Sequence, residues 1–88
     1  MSSDERLLNQ GRLVEREQDA RRLAIKMRGL KEDIRRQTDP HRPIEALDLP
    51  TLQVALDGLA EANEEYNRCL AAIAALREDL GLPRYEER

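Results

Sequence analysis

The side chains able to do chemistry are few: one histidine, His41, one cysteine, Cys69, and the adjacent carboxylates Glu64/Glu65, Glu78/Asp79 and Glu86/Glu87. A metal centre needs several convergent ligands, and the only His lies in a proline-rich stretch with no partner at ligand spacing. A nucleophilic thiol needs an electropositive, accessible site and a base. Cys69 instead falls on an apolar ladder, where cysteine acts as a small hydrophobe. Acid–base catalysis needs carboxylates in a cleft that drives their pKa values apart, whereas these pairs fall on the outer side of a helix. The four glycines, at 11, 29, 58 and 81, form no phosphate loop. The chain is therefore not expected to be an enzyme, and no cofactor, metal or small-molecule substrate is expected.

One charged feature invites a functional reading. Arg21, Arg28 and Arg35 recur every seven residues with Lys31 close by, a basic stripe on one helix. Such a row can track nucleic-acid phosphates. Against this, the net charge is −3, aromatics make up only 2 % of the chain, and the stripe faces an acidic second half. Nucleic-acid association is accordingly the alternative reading, behind ordinary salt-bridged helix surface.

The element that must carry Cys69 is unusually legible. Ala55, Leu59, Ala62, Tyr66, Cys69, Ile73, Leu76 and Leu80 alternate four- and three-residue steps, the spacing of a helix whose seam faces another helix. Leu13, Arg16, Ala20, Leu23, Met27, Leu30 and Ile34 repeat the pattern earlier in the chain. Between them, residues 38–50 hold three of the four prolines, each of which fixes φ and removes a backbone donor. That connector is too short to run back along a helix of about 50 Å, so the second helix must return antiparallel to the first.

The expected fold is all-α: one helical-hairpin domain over 1–88, coiled-coil-like, with helix one at about 3–37, a connector at 38–48, helix two at about 49–80 and a frayed tail at 81–88. Ser2 with Glu5 forms a capping box at the start, and Asp48 with Pro50 opens the second helix. Leu80-Gly81-Leu82-Pro83 is a strong stop signal. Gly11 and Gly29 are expected to mark close approach or local fraying. Folding about residue 43 sets Met27 opposite Leu59, Leu23 beside Ala62, Ala20 opposite Tyr66 and Leu13 opposite Ile73. Arg16 becomes the one polar rung, laying its methylenes on the seam and reaching water or Glu65. Residues 1–36 carry 10 basic and 7 acidic side chains against 5 and 11 in residues 37–88, so the two halves are electrically complementary.

A two-helix seam cannot bury all the apolar residues. Leu7, Val14 and Ile25 point away from the ladder of helix one, and Leu56 and Leu70 flank that of helix two. Ala72 and Ala75, in an alanine-rich run, would let a further helix come close. Ordering a residue costs about 1.5 kcal/mol while burying a large aliphatic returns roughly 1.5–3 kcal/mol, so a lone hairpin is near break-even. These seven residues are the candidate interface, with a second copy (two hairpins forming a four-helix bundle) or a helical protein as partner. No apolar run is long enough to span a membrane, no secretory leader is read at the N-terminus, and one cysteine allows no internal disulfide; a cytoplasmic setting is expected. The function read from the sequence is a non-enzymatic interaction or scaffolding module. No family motif refines it, and shape alone does not carry function.

Overall fold

A computed structural model describes residues 2–83. Of the frayed tail expected at 81–88, residues 84–88 with Glu86/Glu87 lie outside the described residues, while Gly81 and Leu82 are held by hydrogen bonds to Glu78 and Arg77. Helix α1 runs Ser3–Gln37, a 3₁₀ turn covers Ile44–Ala46, and helix α2 runs Leu49–Asp79. The two helices lie antiparallel against each other, with overall dimensions of 63 × 21 × 14 Å.

Local chemistry sets each end. The Ser2 hydroxyl accepts from the Glu5 amide at 3.2 Å, which satisfies one of the unpaired donors at the start of α1. Asp4 and Glu5 sit in its first turn and Arg35 and Arg36 in its last, matching the helix dipole. At the other end the Thr38 amide and hydroxyl both donate to the Ile34 carbonyl. Asp48 caps α2 twice over, accepting from the Thr51 amide at 3.1 Å and the Thr51 hydroxyl at 2.7 Å. Those bonds hold the Asp48 carboxyl below its ordinary pKa. The chain leaves α2 through a Schellman motif. Gly81 adopts φ 67°, its amide donates to Glu78, and the Leu82 amide donates to Arg77 at 2.8 Å.

The core is a single seam. Leu13, Ala20 and Leu23 of α1 meet Ala62, Cys69 and Ile73 of α2, with Leu80 at the end and Met27, Tyr66, Leu70 and Leu76 packed against them. Every residue of the 4-3 ladder from Ala55 to Leu80 is buried or half-buried. The contacts Arg6–Leu80, Arg16–Cys69, Arg22–Glu65 and Leu30–Gly58 all fit a fold centred near residue 43.

Two expectations need correction. Arg16 is not the polar rung of the seam: it is exposed and pairs with Asp19 at 3.2 Å, while Arg22 is the residue that reaches Glu65. The rung is Glu17, one residue on. A seam repeating every 3.5 residues drifts around a helix of 3.6, and between Leu13 and Ala20 the step of four followed by three lands on Glu17. Gly11 and Gly29 mark neither fraying nor close approach, since α1 is helical through both and a Cβ at either would meet nothing within 4 Å. The close approach is at Gly58, where a Cβ would lie 3.6 Å from Leu30 Cδ1.

Candidate functional site

The residues first screened for chemistry are dispersed. His41 is exposed in the elbow, where its amide donates to the Asp39 carboxylate at 2.9 Å. Cys69 sits roughly 30 Å farther along α2 at 1.5 Å per residue. The Cys69 thiol is buried and donates to the Arg16 carbonyl at 2.9 Å. Burial, and then the nearby Asp19 carboxylate, push its pKa up, the opposite of nucleophile activation. Glu64 and Glu65 are exposed and share charge with Arg68 and Arg22, and Glu78 and Asp79 are exposed as well. Among the described residues no group of three or more His, Cys, Asp or Glu comes together as a metal site.

The basic stripe is partly spoken for. Arg35 holds Glu32 through two bonds of 2.9 and 2.6 Å, and Arg36 pairs with Asp33 in the same i,i+3 manner. The Arg35 guanidinium lowers the Glu32 pKa by hydrogen bonding to it. Arg21 lies 3.8 Å from Glu17. Arg21, Arg28, Lys31 and Arg35 are all exposed, yet with these carboxylates interspersed the row is not a bare track of cations.

What the structure does assemble is two unlike long faces. One carries a shallow groove of about 330 Å³ lined by Arg16, Asp19, Glu65, Arg68, Cys69 and Ala72 among others, charged on both walls and balanced in sign. The opposite face is marked by a bridge between helices, Arg77 to Glu17 at 3.3 Å, with both side chains less than one-fifth exposed. Arg77 also donates to the Pro83 carbonyl. Nothing in the sequence analysis anticipated this pair. The signal was there in Glu17 standing at a ladder position and in Arg77 lying beside Leu76.

On that second face α2 presents a further 3-4 ladder: Leu49, Leu52, Leu56, Ala60, Asn63, Asn67, Leu70 and Ala74. None is charged. The charges of α2 between Leu49 and Ala74 (Asp57, Glu61, Glu64, Glu65 and Arg68) lie off this strip, with Glu64 bordering it one turn after Ala60. The uncharged strip runs about 37 Å. Leu49 and Leu56 are exposed at 62 % and 42 %, while Leu52 and Leu70 are half-buried. Beside the strip, α1 contributes Glu17 and, at following helical steps on the same side, Arg21, Arg28 and Lys31.

Leu7, Val14 and Ile25 are exposed at 67 %, 56 % and 69 % on the outer side of α1. Ala75 is exposed, Ala72 is half-buried in the charged groove, and Leu70 leans on the core instead of standing free. Exposed aliphatics that the sequence analysis passed over are Leu8, Val54 and, at the elbow, Ile44. No described helix is long and apolar enough to cross a membrane. Compared with protein-family models, curated proteins and solved structures, the chain matches none of them.

Proposed function

We propose that the chain is a non-enzymatic protein–protein interaction or scaffolding module that works through helix-on-helix packing. The observation that supports this is the exposure of apolar side chains on a molecule only two helices thick. Leu7, Val14 and Ile25 are exposed on α1 and Leu49 and Leu56 on α2, and neither set has a further element of the described chain over it. Stripes of this kind on a small domain usually mark interaction surfaces. In the simplest form two copies associate as a dimer of four helices, with Leu7, Val14 and Ile25 of α1 in the contact.

Sedimentation equilibrium at micromolar concentration, native chain against Leu7→Ser/Val14→Ser, tests the reading. Both positions are exposed, so the variant should keep its helical circular dichroism and shift toward monomer. A native chain that is monomeric, and whose behaviour the double substitution leaves unchanged, removes this surface from the account.

A further inference from the structure

The charge of the hairpin is divided by helix. Residues 21–36 of α1 hold seven basic and two acidic side chains, while residues 50–65 of α2, which lie alongside them, hold four acidic side chains and no basic one. These totals count every side chain, whether or not it is paired within the hairpin. We infer that a second copy docks on the face carrying the Leu49–Ala74 strip, about a two-fold axis running along the hairpin. Helix α1 of each copy then lies antiparallel over α2 of the other. This arrangement rests on the proposed helix-packing role and gives it a surface and an orientation.

Two isologous arrangements can set two copies face to face here. An axis across the hairpin lays α1 on α1 and α2 on α2, which brings basic beside basic and acidic beside acidic. An axis along the hairpin makes the helices alternate around a four-helix bundle, so that each basic helix has acidic neighbours on both sides. Like charges set side by side cost free energy and opposite charges fix the register, so the charge pattern selects the second arrangement.

An axis along the hairpin leaves every residue at its own level. The contacts Arg6–Leu80, Arg16–Cys69 and Arg22–Glu65 show which residues share a level within a copy, and α1 meets α2 of the other copy at the same levels. Arg21 then stands level with Glu64 of the other copy, at the border of the strip. Arg21 keeps its own Glu17, which also holds Arg77. That group of two guanidiniums and one carboxylate retains a net positive charge, and Glu64 meets it from the facing copy. Val14, two turns before Arg21 on the same side of α1, comes over Ala71 and Ala74, both exposed and small enough to leave it room. Toward the elbow the aliphatic stem of Lys31 lies over Leu56. A contact as wide as the hairpin, 21 Å, and as long as the strip, about 37 Å, covers roughly 800 Å² of each copy. A stable interface takes about that much from each partner.

The test is sedimentation equilibrium on the full chain with two single charge reversals, Arg21→Glu and Glu64→Arg, both at exposed positions. Circular dichroism confirms that each variant keeps its helices. The native chain should be a dimer at micromolar concentration. Either reversal alone sets like charges together twice in the dimer and should raise the dissociation constant about tenfold or more, a change of about 1.4 kcal/mol. An equimolar mixture of the two variants should dimerise again, because in a mixed dimer both pairs once more join opposite charges. Ala60→Arg, at an exposed position in mid-strip, should weaken the native dimer and the mixed one alike.

Reversals that weaken the dimer without recovery in the mixture overturn the arrangement, as does a dimer that Ala60→Arg leaves intact. If the reversals change nothing while Leu7→Ser/Val14→Ser dissociates the dimer, copies pack through α1 alone; this arrangement is wrong and self-association survives. A native chain that is monomeric at micromolar concentration also overturns it, and helix-on-helix packing then falls to a different protein.

Discussion

Glu17 and Arg77 show how a single polar pair shapes a seam of aliphatics. The bridge joins the middle of α1 to the last turn of α2 and is largely shielded from water. It therefore stands between an exposed ion pair, at about 0–1 kcal/mol, and a fully buried one, at about 3–5 kcal/mol to break. Glu17→Ala and Arg77→Ala should each cost about 1–2 kcal/mol in urea unfolding, and the double variant should cost clearly less than the two together. Additive losses would mean that the two side chains do not interact in solution. Cys69 yields a pH prediction. Its pKa is raised in the fold, so above the ordinary thiol value of about 8.5 the unfolded chain releases a proton that the folded chain keeps. Stability is then fully present below that value and falls as pH rises toward the higher folded pKa. Cys69→Ala should remove part of this alkaline decline, read from urea midpoints between neutral and mildly alkaline pH. Equal slopes for native and variant would mean that the thiol is not desolvated as the structure has it.

The helices were legible wherever the backbone chemistry is local. Ser2, Asp48 and Gly81 act within three or four residues of themselves, and each does what its type and position imply. Gly81→Ala tests the sharpest of these. A left-handed φ costs a non-glycine residue about 1–2 kcal/mol, so the melting temperature should fall while helical content holds. An unchanged melting temperature would show that the Schellman turn contributes nothing. The ladder from Ala55 to Leu80 was legible too, since a 3.5-residue repeat can be counted. What could not be counted was where drift carries the seam when a polar residue lies on either side of it. The sequence reading puts Arg16 on the seam, and Glu17 takes that place because the partner side chain that pairs with it, Arg77, lies 60 residues away. Likewise the uncharged strip of α2 becomes a face only when Glu17 and Arg77 show which side of α1 lies beside it.

At the scale of the whole molecule the decisive quantity is thickness. The hairpin is 14 Å across its thinnest direction, and among the described residues only Leu23 and Ile73 of the large side chains are fully buried. A folded domain stands about 5–15 kcal/mol above its unfolded state, and a seam this narrow belongs at the low end of that range. Truncating Leu23 to Ala costs about 2–5 kcal/mol, a large part of the whole. Leu23→Ala should therefore be largely unfolded when dilute, with weak helical circular dichroism. Self-association acts on the same equilibrium by mass action, because whatever binds the folded form and not the unfolded one stabilises it. If copies pack through the outer side of α1, raising the concentration of Leu23→Ala should restore helicity, and adding Leu7→Ser and Val14→Ser should prevent that recovery. A Leu23→Ala chain that stays folded when dilute would show the hairpin to be self-sufficient. The exposed aliphatics would then be spare surface, and the thermodynamic case for a partner would fall with them.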